Sequence, residues 1–245
     1  MTEFTIKVAG VPVGVTAMFA STRDYCRAYF SDESPAFSVA TTAEDLEFEQ
    51  QKAREEAVLE GLRFRNFPDP YLERTAIQRK IAEALFDRDI LVFHGSVVAV
   101  DGQGYLFTAR SGTGKSTHTR FWREVFGRRA VMVNDDKPFL QIAVSGITLY
   151  GAPWSGKHGL HANIAVPLKG ICILERGNEN RIKRILPEEA LAMLLHQSQM
   201  PLAEEKADAF RLLVSSLAET VPLWRMECTK DPNAASVAWQ AMSSV

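Results

Sequence analysis

The stretch YLFTARSGTGKST, Tyr105 to Thr117, constrains the fold more than any other part of the chain. Tyr105 to Thr108 form an apolar run of strand character. It leads directly into a loop where Gly112 and Gly114 alternate with small hydroxyl residues. From Lys115 to about Val125 the pattern becomes that of a helix. Strand, glycine loop and helix in that order aim backbone N–H groups and the positive end of a helix at one point, which is how a chain holds an anion. The window Ala109 to Ser116 fits the Walker A consensus G-x-x-x-x-G-K-[ST], with alanine in place of the first glycine. In that reading Ser111, Gly112, Thr113, Gly114, Lys115, Ser116 and Thr117 cradle the phosphates of ATP. Lys115 bridges the β- and γ-phosphates and the Ser116 hydroxyl ligates Mg²⁺.

Such a loop needs a carboxylate at the end of a neighbouring strand. The strand Ala130 to Val133 ends in Asn134-Asp135-Asp136, which meets the need twice. One aspartate serves the metal and the other takes the proton of an attacking hydroxyl. Asp136 is placed with Ser116 at the metal and both aspartates are counted as catalytic, the division between them staying open. Adjacent residues on a strand point to opposite faces, so both reach one site only if the strand ends or bends; Lys137-Pro138 supplies a bend. His94 closes the apolar run ILVF, and four of the five histidines (His94, His118, His158, His161) fall in the segment holding the glycine loop. A lone histidine after an apolar strand is more often a satisfied, partly buried one, but this clustering makes His94 a candidate site residue. Gly151 to Lys157 also fits G-x-x-x-x-G-K, but His158 stands where the metal-binding hydroxyl belongs and Pro153 lies inside the loop. It is read either as a basic loop over the phosphate or substrate, touching it through Lys157 or His158, or as a surface turn whose Trp154 packs on the core. His158-x-x-His161 has no Cys or acidic partner, which argues against a structural metal site.

At 245 residues with a net charge of −2, the chain carries no charge excess of the kind that draws nucleic acid or a membrane surface. Arg120, Arg123, Arg128 and Arg129 are read as a solvated helix face in preference to anion contacts. The three cysteines, Cys26, Cys172 and Cys228, fit neither a disulfide framework nor a CxxC motif. The start, MTEFTIKVAG, lacks the basic and apolar regions of a signal peptide, and no apolar run nears the roughly 20 residues that span a bilayer, so the cytoplasm is expected. Residues 1–89 read as a small mixed N-terminal cap: a hairpin over 4–15, then a helix capped by Thr41 and Glu44 with apolar positions Leu46, Ala53, Val58, Leu59 and Leu62, then a helix from Tyr71 to Phe86. Residues 90–245 read as the catalytic domain, with strands near 90–93, 96–100, 105–108, 130–133, 147–150, 169–174 and 223–228. Helices are expected at 115–125, 187–196, 203–219 and 232–242.

Taken together, VFHGSVVAVDGQGYLFTARSGTGKST followed by VNDD resembles the HPr kinase/phosphorylase family, with a glycine loop similar to that of ATP-dependent phosphoenolpyruvate carboxykinases. The resemblance is specific over residues 93 to 136. It implies an α/β fold with a mixed sheet and a phosphate-loop core, His94 near the transferred phosphate, Asp135 or Asp136 as general base, and Ser116 with the other aspartate serving Mg²⁺. The family's glutamate metal ligand has no counterpart in GAPWSGKHG, which leaves the acceptor open: a serine of a protein or peptide, or a small hydroxylated metabolite. The expected activity is Mg-ATP-dependent transfer of the γ-phosphate to a hydroxyl. The alternative is a nucleotide-binding switch without phosphotransfer, and a homo-oligomer stays open for either.

Overall fold

A computed structural model describes residues 1–59, 61 and 63–244. Two compact units divide it, Met1–Ala84 and Leu85–Val245. The division falls before residue 89 because one long helix, α3, carries the chain out of the first unit and ends in the second.

In the first unit β1 (Thr2–Val8) and β2 (Val11–Ala17) form an antiparallel hairpin, and β3 (Phe37–Ala40) lies parallel to β2. The turn is Ala9-Gly10, both at positive φ. Helices α1 (Ala20–Tyr25), α2 (Ala43–Leu59) and α3 (Asp69–Phe86) complete the unit. The start of α2 differs from expectation by one residue. Thr42, not Thr41, pairs with an acid three positions on, donating its N–H to Asp45 Oδ2 at 3.0 Å. The Thr41 hydroxyl instead donates to the buried Glu73, at 2.8 Å. Nor does α2 bury the expected apolar stripe. Leu46 is buried, but Val58 and Leu59 are 74% and 87% exposed, and Leu62 lies outside the described residues. An ion pair anchors this helix: Arg79 of α3 donates from Nε to the buried Glu49 at 2.6 Å. A hydropathy period cannot register such a contact, because both partners count as polar.

The second unit is a curled sheet with helices on both faces. Its strands are β4 (Ile90–Val92), β5 (Ser96–Val100), β6 (Gln103–Thr108), β7 (Ala130–Asn134), β8 (Phe139–Ala143), β9 (Gly146–Tyr150), β10 (Ala165–Arg176), β11 (Arg181–Ile185) and β12 (Leu223–Cys228). Helices α4 (Lys115–Phe126), α5 (Pro187–Gln197), α6 (Ala207–Thr220) and α7 (Asn233–Ser243) pack around it. The order is β4-β8-β9-β10-β6-β5-β7, with β12 also against β10 and β11 against β12. Antiparallel pairs dominate, while β10 lies parallel to both β6 and β12, so the sheet is mixed. This is the α/β mixed-sheet class expected from sequence. Strand β10 joins the two halves: it pairs with β9 through Ala165–Pro167, then shifts register and pairs with β6 and β12.

Because both faces are covered, the central strands read as unbroken apolar runs. Val97, Leu106, Ile171 and Ile173 face a core shared with Leu194 of α5 and Phe210, Val214 and Leu217 of α6. Val98, Tyr105, Phe107 and Cys172 face the other core, with Trp122 of α4 and Ala235 and Ala238 of α7. Two strands lie outside the expected set. The sequence of β11, RIKRI, is mostly charged and lies on a sheet edge, and β8 follows Pro138 with no break long enough to mark it. Among the described residues no helix is long and apolar enough to cross a membrane.

Candidate active site

Strand pairing decides which loops meet. β5 runs antiparallel to both β6 and β7, so the start of β5 lies level with the ends of its two neighbours. Ser96 stands opposite Phe107 and Val97 opposite Asn134. His94-Gly95, the glycine loop after β6 and the aspartates after β7 therefore converge on one edge of the sheet. Turns fix this arrangement: Asp101 and Gly102 join β5 to β6 with φ of 52° and 79°, values suited to a two-residue hairpin turn.

In the glycine loop Gly112 and Gly114 have φ of 74° and 122°, conformations that side chains resist. Ala109, at the first consensus position, is fully buried in the core beside α4 and is not among the positive-φ residues. Nothing there requires glycine, which accounts for the departure from the consensus. Gly114 is the N-cap of α4 and brings no side chain to the amides of the first turn, which leaves the helix start suited to an anion. Lys115 donates from Nζ to Ala109 O across the loop at 3.3 Å. Burial lowers its pKa, opposed by the charge of Asp136. Arg176, at the end of β10, donates from Nη2 to Gly112 O at 2.6 Å and so ties the loop to the next strand. Ser111 and Ser116 are exposed, Thr113 and Thr117 half-buried.

The turn holding the acids is made by Asn134, not by Lys137-Pro138 alone. Its buried side chain accepts at Oδ1 from the N–H groups of Asp136 (2.8 Å) and Lys137 (2.7 Å). Its Nδ2 donates to Ala152 O (3.0 Å) and Trp154 O (3.1 Å). One amide thus bends the chain at the strand end and clamps the 151–161 loop over it. The bend sends the two carboxylates to different surroundings. Asp135 is buried and accepts from the Ser96 hydroxyl at 2.7 Å, and that hydroxyl lies 2.8 Å from Thr119 Oγ1, one turn after Ser116 on α4. Asp136 is partly open, with Oδ1 at 3.4 Å from His94 Nε2. Burial raises the Asp136 pKa, with Lys137 and Lys115 pulling it down and Asp135 pushing it up. Burial, helped by the charges of Lys137, Lys115 and His196, pushes His94 down to about 3. At neutral pH the histidine is uncharged, so its contact with Asp136 is polar and not an ion pair.

The 151–161 loop packs on the core through Trp154, as the second reading has it. Trp154 is buried, its ring 6.1 Å from that of Phe139. Leu160 accepts the Asp135 N–H at 3.1 Å, and a Cβ on Gly156 would stand 3.4 Å from Asp135 Oδ2. The loop therefore packs on the core and also lies over the acids. Lys157 and His158 are exposed, and His158 with Leu160 faces Ser116, Thr117, Arg120 and Arg123 across an open pocket of about 330 Å³. His118 points away from all this: it is buried, and Nε2 accepts from Trp122 Nε1 at 3.0 Å. Cys172 is likewise a core residue, its thiol pushed up by burial. Ser96, Thr119, Asn134 and Arg176 carry no site assignment from the sequence. Only Asn134 had a local signal, an amide ahead of two acids at a strand end.

The donor set fits a magnesium nucleotide. Ser116 and Asp135 offer only oxygen, as Mg²⁺ prefers, and the glycine loop with Lys115 suits phosphate oxygens. No family model matches the sequence, and no curated protein matches it. Among solved structures the chain is similar to the Hpr(Ser) kinase/phosphatase from Coxiella burnetii, at 12% identity and a TM-score of 0.38 over 62% of this chain and 88% of that one.

Proposed function

We propose that the chain is a Mg-ATP-dependent phosphotransferase acting on a hydroxyl. The observation that carries this reading is the separation of the two carboxylates: Asp136 beside neutral His94 and within the field of Lys115, Asp135 held by Ser96 on the side of α4. The assignment differs from the sequence reading, which put Asp136 at the metal. Asp135 serves the metal with Ser116, and Asp136 is the base.

The amides of the glycine loop and Lys115 hold the β- and γ-phosphates. Magnesium, when bound, neutralises charge on their oxygens. The acceptor hydroxyl donates its proton to Asp136 as its oxygen bonds to the γ-phosphorus, and the bond from that phosphorus to the bridging oxygen breaks to release ADP. A carboxyl whose pKa burial has raised binds that proton more readily than an ordinary aspartate. His94 Nε2 lies on the same carboxylate and orients it.

The test is transfer of γ-labelled phosphate from Mg-ATP into extract of the source cells, separated by size, with three variants. Lys115→Ala should lose nucleotide binding and all label. Asp136→Asn should hold Mg-ATP within a few fold while transfer falls about a thousandfold, the middle of the range for loss of a positioned base. Asp135→Asn should raise the Mg²⁺ concentration needed for half-maximal transfer. Full transfer by Asp136→Asn would overturn the base assignment. ATP binding with no label that depends on Lys115 would favour a nucleotide switch instead.

A further inference from the structure

The pocket beside the glycine loop has a chemistry that phosphate transfer from ATP does not require. Its six lining residues are Ser116, Thr117, Arg120 and Arg123 of α4, and His158 and Leu160 of the loop opposite. No carboxylate is among them. Arg120 makes a solvent-exposed pair with Glu124 at 3.4 Å, which holds it weakly, and its guanidinium lies 5.3 Å from the Phe121 ring. Arg123 is half-buried, and its Nε is buried without a hydrogen-bond partner among the described residues. A buried guanidinium donor left unmatched calls for a water, an ion or a ligand to satisfy it. The wall carrying His158 and Leu160 is fixed, because Leu160 O takes the Asp135 N–H and Asn134 clamps the loop's other arm.

We propose that this pocket is an anchoring subsite for an oxyanion, a carboxylate or phosphate group carried by a small acidic acceptor, held mainly by Arg123 with Arg120 and His158. The inference rests on the kinase reading for the statement that the anion belongs to the acceptor. The nucleotide's own charge is met elsewhere, by the loop amides, Lys115 and the metal. Arginine matches a planar oxyanion with paired N–H donors, while Ser116 and Thr117 form the border of the pocket with the nucleotide's cradle. The arginines thus have a role beyond a solvated helix face.

Inorganic phosphate and malonate are the probes, titrated calorimetrically into the full chain alone and with a saturating non-hydrolysable Mg-ATP analogue. One equivalent of at least one probe should bind with the analogue present, when the glycine loop is already filled. Arg123→Gln should weaken that binding about tenfold, as expected for a lost charge-assisted hydrogen bond, and should leave the nucleotide's affinity within twofold. His158→Gln should weaken it less, and being on an exposed loop it serves if Arg123→Gln fails to fold. Lys115→Ala should abolish nucleotide binding but spare the probe. If neither probe binds in the presence of the analogue, or Arg123→Gln and His158→Gln both leave that binding unchanged, the subsite does not exist. A tenfold fall in nucleotide affinity in Arg123→Gln would assign the pocket to the nucleotide and overturn the proposal. If Lys115→Ala binds nucleotide normally while Arg123→Gln loses the probe, the subsite stands and the glycine-loop reading falls.

Discussion

Replacing Asn134 by alanine removes four hydrogen bonds with one side chain. Two orient the acids, the N–H groups of Asp136 and Lys137 to Oδ1, and two hold the opposite loop, Nδ2 to Ala152 O and Trp154 O. Asn134 is 0% exposed, so water cannot readily replace what is lost. At about 1 kcal/mol each the bonds sum to about 4 kcal/mol. That is a large share of the 5–15 kcal/mol typical of a folded domain, and it lowers Tm by roughly 10 °C. Urea unfolding followed by tryptophan fluorescence should show a lower midpoint with unchanged slope. Asn134→Asp sharpens the test. It keeps the acceptor for Asp136 and Lys137 but sets a carboxylate oxygen against two carbonyls, and should be no more stable than the alanine variant. Either variant within about 1 kcal/mol of the parent would refute the claim that this amide holds the turn.

Gly151→Ala should destabilise by about 3 kcal/mol or more, since a Cβ there would lie 1.8 Å from Ala162 O and 2.8 Å from Val133 O, both backbone; thermal unfolding reads this directly. Arg176→Ala should weaken Mg-ATP binding several-fold by freeing Gly112 O, while stability shifts by less than about 1 kcal/mol because the side chain is exposed; calorimetry and urea unfolding on one sample separate the two effects. Burial holds His118 near a pKa of about 3, against 6.5 for the free side chain. Between those values the unfolded chain binds the proton and the folded chain does not. Its stabilising contribution is therefore complete above pH 6.5 and is lost at about 1.4 kcal/mol per pH unit as pH falls toward 3. His118→Gln should flatten the stability profile between pH 4 and 6 by about one proton's worth.

The glycine loop was legible because its constraints are local. Positive φ at Gly112 and Gly114, an apolar strand before them and a helix after them are set by neighbouring residues. The same holds for the hairpin turn at Asp101-Gly102 and for most of the second unit's helices and strands, whose apolar runs follow from burial on one or both sides. Where a polar pair replaces an apolar contact, period-based reading fails. Glu49 with Arg79 anchors α2 where a leucine stripe was expected, and Thr41 serves Glu73 where a helix cap was expected.

The sequence by itself determined that a glycine-rich loop between a strand and a helix, two adjacent acids and a histidine occur in this chain, since each is a matter of residue type and short spacing. It also determined the helix-sheet class, through apolar periodicity. Tertiary structure alone decided that these parts share one edge, because the antiparallel pairing of β5 with both β6 and β7 aligns their ends. It decided as well which acid faces which group: the side chain of Asn134 turns the strand end, so Asp135 goes to Ser96 and Asp136 to His94. Contacts between residues far apart in the chain, such as Arg176 with Gly112 or His158 facing Arg123, leave no local pattern to read.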